Sequence, residues 1–182
     1  MSMIPPIFQV SAVNFSFGAR ELRKQILFDI ALEIYPGEIV ILEGPSGSGK
    51  TTLLTLIGGL RTFHEGSMKL FGTEICNAAQ QDLVTLRRRI GYIFQHRNLL
   101  EFLTARRNVE LMFELYPTID EPNKRTRTEE ILAAVGLRDH IDFFPSPLSG
   151  GQRVAIARAL VTNPGLILAD EPTAALDKVT GR

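Results

Sequence analysis

Short apolar runs alternate along this chain with stretches of helical period, a pattern that predicts an α/β fold. Ile39-Val40-Ile41-Leu42 is a continuous apolar run entered by the turn Pro36-Gly37-Glu38, as a buried strand would be. Gly91-Tyr92-Ile93-Phe94 and Leu166-Ile167-Leu168-Ala169 read the same way. Upstream, Phe8 to Val13 and Ile26 to Ile34 alternate apolar with polar positions, the habit of antiparallel strands with one wet face. Leu53, Leu54, Ile57 and Leu60 recur at helical spacing after Lys50, and Gly58-Gly59 weaken the end of that helix. From Leu99 to Ser146 the character changes. Asn108 to Tyr116 and Thr126 to Val135 are expected helices, the second with Thr126 and Glu129 as a capping box and Gly136 as its stop. The arrangement expected is one domain over residues 1–182. In it, an N-terminal antiparallel β subdomain and a mostly parallel α/β core (8–98 and 163–182) receive a helical insertion at 99–162.

Composition narrows the setting without choosing a function. A chain of 182 residues suits one sizeable domain. Lysine plus arginine and aspartate plus glutamate number 20 each, so no net field draws it to nucleic acid or anionic lipid. Arg87-Arg88-Arg89 and Arg106-Arg107 are read as a solvated face. Cys76 is the single cysteine, which excludes an internal disulfide and fits a reducing compartment. Met1 to Pro6 carry neither the basic start nor the apolar core of a signal peptide. The apolar runs are too short to cross a bilayer, so work at a membrane requires another component to hold the chain there.

Three segments carry chemistry. Gly44-Pro45-Ser46-Gly47-Ser48-Gly49-Lys50-Thr51 matches the phosphate-loop pattern in full, with an apolar run before it and a helix after it. Glycines let consecutive backbone N–H groups converge on phosphate oxygens, and the helix adds the positive end of its dipole. Lys50 is expected to reach the β- and γ-phosphates of ATP, and the Thr51 hydroxyl to bind Mg²⁺, with Thr52 beside it. The second segment, Leu166 to Glu171, is a strand ending in two carboxylates at the edge where open α/β sheets bind ligands. Asp170 is the expected Mg²⁺ ligand and Glu171 the group that polarises the attacking water. The third is Leu148-Ser149-Gly150-Gly151-Gln152, where a serine and two glycines open a helix and offer a second anion-binding end.

In this order the motifs resemble the ATP-binding subunits of ABC transporters, over essentially the whole chain. Gly44 to Thr51 is similar to that family's Walker A, Leu166 to Glu171 to its Walker B and Leu148 to Gln152 to its signature. The resemblance implies a P-loop NTPase core. It also gives Gln95 the part of the Q-loop glutamine, touching metal and attacking water and sensing the membrane partner, and it makes Asp177 the D-loop aspartate. Phe17 falls where the family has an aromatic ring stacked on adenine, with Phe15 as the competing candidate. The resemblance implies that two such subunits pair head to tail, each ATP lying between one Lys50 loop and the other subunit's Ser149, Gly150 and Gly151. Partners implied are a transmembrane permease, a second ATP-binding subunit and a periplasmic adaptor, at the cytoplasmic face of the inner membrane. Within the exporter branch, Leu22 to Gln25, Pro36 to Val40 and Thr55 to Arg61 look most like cyanobacterial DevA-type subunits, associated with glycolipid export.

Two departures stand against that pattern. Gln152 runs straight into Arg153, whereas the family has a longer spacer before the Arg-Val-Ala-Ile-Ala-Arg-Ala-Leu helix. A loss of about two residues turns a helix by roughly 200° and shortens it by about 3 Å. Core packing resists such shifts, so Ser149 to Gly151 is the part expected to move. The family also continues past Arg182 to a switch histidine, and His64, His96 and His140 all precede Asp170, so the chain reads as C-terminally truncated. The readings are an export ATPase, a nucleotide-binding remnant with little turnover, or a soluble ABC ATPase; long coiled-coil insertions, linked cassettes or strong basic charge would mark the last.

Overall fold

The computed structural model describes residues 4–18, 20–96, 98–116, 120–145 and 149–171. It divides into two compact units, Met1–Arg87 and Arg88–Arg182.

The first unit is built on an antiparallel sheet in the order β2-β1-β3-β4. Its strands are β1 (Phe8–Phe17), β2 (Lys24–Ile34), β3 (Glu65–Leu70) and β4 (Thr73–Glu74). In β1 the buried positions run Phe8, Val10, then Val13, so the period of two breaks once. The break is a bulge at Ala12, whose φ is 51°, where the register slips against both neighbours. Gly66 on β3 lies against it, and a Cβ there would come within 2.5 Å of the Ala12 carbonyl oxygen. Only glycine lets the strands approach so closely. One inserted residue moves every later side chain to the opposite face. Phe15 and Phe17 therefore follow Val13, and their rings meet edge to face at 5.0 Å. Asn14 ties up the polar groups the bulge displaces, its Oδ1 accepting from the Asp29 backbone N–H and from Gln25 Nε2.

Helix α1 (Lys50–Ile57) leaves the glycine-rich loop and buries Leu53, Leu56 and Ile57 on one face. It stops at Gly58, one turn short of Leu60, which is exposed. Helix α2 (Gln80–Arg87) buries Leu83 and Leu86. The strand expected at Ile39–Leu42 is not formed: the segment pairs with no described strand, and Ile39 and Ile41 are 92% and 75% exposed. A strand is held by ladder bonds to neighbours, and in this unit β1 to β4 make their ladders without it. An apolar run alone does not supply such partners.

The second unit carries β5 (Ile90–Ile93) and β6 (Leu166–Ala169), paired in parallel with Tyr92 opposite Leu168. Helices α3 (Ala105–Glu110), α4 (Glu121–Ala134) and α5 (Ser149–Leu160) close around Val109, Phe113, Leu132, Val154, Ala157 and Val161. Two helix expectations shift here. The helix expected from Asn108 starts at Ala105 behind a Thr104 cap and passes at Leu111 into a 3₁₀ turn. The second begins at Glu121, capped by Asp120 with Pro122 in its first turn, so Thr126 lies inside it and bonds back to the Pro122 carbonyl. Asp120 and Pro122 are the stronger start signal because proline fixes φ without needing the missing donor. Gly136 follows the end as expected, with φ 77°. Arg106 is not on a solvated face: it binds Asp142 through two nitrogens and Glu129 through a third, and holds both carboxyls below their ordinary pKa.

Two side chains found only in the tertiary structure hold these units. Asn108 is fully buried, accepts from the Leu100 N–H and donates to the carbonyls of Leu100, Leu103 and Thr104. Asn108→Ala is expected to cost about 2–4 kcal/mol, because buried groups then lose their partner, read as a lowered urea midpoint. In the first unit Glu74 is pushed up by burial. That is outweighed by bonds to its carboxylate from the Ser67 hydroxyl and the N–H groups of Cys76, Met68 and Ile75, leaving its pKa lowered. Its contribution is present above the ordinary glutamate range and is lost as pH falls through the depressed value. Unfolding curves of Glu74→Gln should therefore be less acid-dependent than those of the unaltered chain below pH of about 5.

Candidate functional site

The glycine-rich loop takes the shape its sequence predicts. Gly44, Gly47 and Gly49 have φ of 151°, 81° and 95°, the left-handed region that turns successive N–H groups to one side. Ser48 N–H donates to the Pro45 carbonyl and closes the turn. Gly49 has a second reason to be glycine: a Cβ there would lie 2.8 Å from Leu27 Cδ2 and 3.1 Å from Ile26 Cγ2 on β2. At Gly47 nothing lies within 4 Å of the same construction, so the loop is open on that side. Pro45 and Ser46 are exposed on it.

Lys50 begins α1, and its Nζ donates to the carbonyls of Gly44 at 2.7 Å and Pro45 at 3.0 Å and approaches Ser48 Oγ at 3.5 Å. The ammonium is thereby curled into the loop. Thr51 and Thr52 occupy the first turn of α1, Thr51 exposed and Thr52 half-buried. The Lys50 charge thus lies beside a glycine-rich loop and a helix N-terminus, a combination chemically suited to a polyphosphate. Phe17 ends β1 with 37% of its surface exposed.

The acidic end lies in the second unit. Asp170 follows β6, is 8% exposed, and its N–H donates to the Ile93 carbonyl at 2.9 Å. Burial and the Asp170 charge push the Tyr92 hydroxyl up to about 12, so the phenol stays protonated beside that carboxylate. Glu171 has φ 49°, a conformation that costs an L residue about 1–2 kcal/mol. Its carboxylate is held by Gln95, whose Nε2 donates to Glu171 Oε2 at 2.8 Å. Residues far apart in sequence thus meet at one point, and the donation leaves the amide oxygen of Gln95 as its acceptor end. In the second unit the Asp170 carboxylate and the Gln95 amide oxygen are hard oxygen donors of the kind Mg²⁺ takes, and in the first unit the Thr51 hydroxyl is another. Among the described residues no group of three or more His, Cys, Asp or Glu could hold a metal ion.

The signature segment opens α5. Ser149 to Gln152 form the first turn of α5 itself, with Gly151 buried and Gln152 1% exposed. Val154, Ala157 and Val161 keep their places in the core. The signature residues therefore run without a break into the apolar face of α5. The side chain of Ser149 and the whole of Asp177 lie outside the described residues.

The comparisons agree with this geometry. Residues 27–174 match the family model described as ABC transporter. The chain is 43% identical to the macrolide export ATP-binding/permease protein MacB of Hahella chejuensis, covering 99% of this chain and 28% of that protein. Against MacB of Escherichia coli K12 the identity is 39%, over 97% of this chain and 28% of the relative. The chain thus spans little more than a quarter of these relatives' length. Among solved structures, the dimeric post-hydrolysis state of the ATP-binding cassette MJ0796 with ADP and Pi superposes with a TM-score of 0.86. There the identity is 38%, over 96% of this chain and 78% of that one. With the phosphate loop, the Asp170–Glu171 strand end and the family match in agreement, this chain belongs to the ABC transporter family, as an ATP-binding domain.

Proposed function

We propose that this chain binds ATP with Mg²⁺ and hydrolyses it to drive an export complex. The observation that carries the reading is the phosphate loop, whose three left-handed glycines and inward Lys50 form a socket for a polyphosphate. The backbone N–H groups and Lys50 bind and orient the phosphates and stabilise charge that grows there during transfer. The family resemblance gives Thr51 of the first unit and Asp170 and Gln95 of the second to Mg²⁺, which when bound would neutralise phosphate charge. Glu171 accepts a hydrogen bond from the attacking water and draws on its proton, while the Gln95 amide keeps the carboxylate aimed. The chain pairs with a second ATP-binding domain, the arrangement of the dimeric MJ0796 cassette, and docks on a permease at the cytoplasmic face of the inner membrane. No helix among the described residues is long and apolar enough to cross a bilayer. The names of the MacB relatives support an exporter, and Gly44 to Leu60, Gly91 to Leu100 with Thr104, and Ala155 to Leu160 resemble the branch that works with a periplasmic adaptor. The finer reading, a DevA-type subunit moving glycolipid or another lipid-like cargo, rests on the resemblance of Leu22 to Gln25, Pro36 to Val40 and Thr55 to Arg61.

One observation favours a second reading, a nucleotide-binding subunit with little turnover of its own. Gly151 and Gln152 are buried in α5, where they are poorly placed to reach a partner's ATP. An ATPase assay run beside an ATP-binding assay separates the two readings. If the short spacer limits turnover, inserting two residues between Gln152 and Arg153 raises the rate while ATP affinity stays the same.

Lys50→Ala is expected to weaken ATP binding at least tenfold, as loss of a charge-assisted contact worth about 1.5–3 kcal/mol implies, measured by calorimetric titration. Glu171→Gln should retain ATP and lower turnover by about 10²–10⁴, the range of a general base, with a larger ATP-bound dimer fraction by light scattering. Normal turnover by Glu171→Gln would remove that carboxylate from the chemistry.

A further inference from the structure

The Phe17 ring has a neighbour that no motif announces. The guanidinium carbon of Arg61 lies over the ring, 5.0 Å from its centroid. Phe15 meets the same ring at 5.0 Å with an interplanar angle of 89°. Phe17 ends β1, whereas Arg61 lies just past α1, the helix that begins at the phosphate loop. The ring is therefore gripped from its own strand and from the chain leaving that helix, and 37% of the residue is still exposed. Among the described residues Arg61 makes no salt bridge, so no carboxylate competes with the ring for its charge.

We propose that Arg61 is a positioning residue for nucleotide binding: its guanidinium backs the Phe17 ring and presents the opposite face to the adenine base. The inference rests on the reading of Phe17 as the adenine platform. A cation over one face draws π density toward itself and leaves the other face less repulsive to an electron-rich purine. The same contact fixes the ring before nucleotide arrives, so less side-chain freedom is lost on binding. A planar guanidinium stacks where an ammonium only points, so arginine suits the role better than lysine.

The test compares dissociation constants for the non-hydrolysable β,γ-imido analogue of ATP and for inorganic tripolyphosphate, which has no base. The variants are Arg61→Ala, Arg61→Lys, Phe17→Ala and the double substitution to alanine. Arg61→Ala is expected to weaken the ATP analogue about two- to fivefold, the range of an exposed cation–π contact, and to leave tripolyphosphate unchanged. Arg61→Lys restores part of that loss. In the Phe17→Ala background, Arg61→Ala adds nothing further. An equal loss toward tripolyphosphate overturns the proposal, since the effect would then not pass through the base. Tighter binding by Arg61→Ala also overturns it, because the guanidinium would then occupy the face adenine needs. If Phe17→Ala weakens the ATP analogue and Arg61→Ala does not, the platform stands and the role of Arg61 fails. If Phe17→Ala leaves the two ligands equally affected, the platform reading itself fails and the proposal with it.

Discussion

The nucleotide-binding half of the molecule depends on how closely one turn of backbone lies on a strand. At Gly49 the loop comes so near β2 that a single carbon would strike Leu27 and Ile26. That approach sets the start of α1, and the start of α1 sets where Lys50 and the helix dipole point. Burial of Leu53, Leu56 and Ile57 then locks the helix behind the loop. Each contributes to the socket only because the backbone contact at Gly49 comes first.

The acidic strand end in the second unit has a different basis. Asp170 and Glu171 are neighbours in sequence with separate surroundings: one is buried against β5, the other exposed in a left-handed turn and held by Gln95. A strained backbone of this kind persists only where surrounding contacts determine it. Here the visible contact is the Gln95 amide, which couples the orientation of the acid to the segment after β5. Movement of that segment would therefore be felt at the carboxylate.

How much of this was legible in advance varies with the range of the interaction. The phosphate loop, the glycines that need positive φ, the strand at Leu166 to Ala169 and the stop at Gly136 all follow from local rules, and all are present. The strand expected at Ile39 to Leu42 failed because apolar character says nothing about ladder partners. The solvated reading of Arg106 failed because its carboxylates, Glu129 and Asp142, lie on other elements. The parity switch at Ala12 was invisible too, since a bulge depends on the facing Gly66.

The sequence by itself determined that this chain carries a glycine-rich loop of the phosphate-binding pattern and an acidic strand end, because both belong to a few consecutive residues whose backbone geometry is set locally. Tertiary structure decided which side chains those residues meet. Gln95 reaches Glu171, Arg61 covers Phe17, Asn108 fastens the loop before α3, and the signature turn sinks into α5. Each of these joins positions distant along the chain or fixes a helix phase by packing, and neither is encoded in spacing alone.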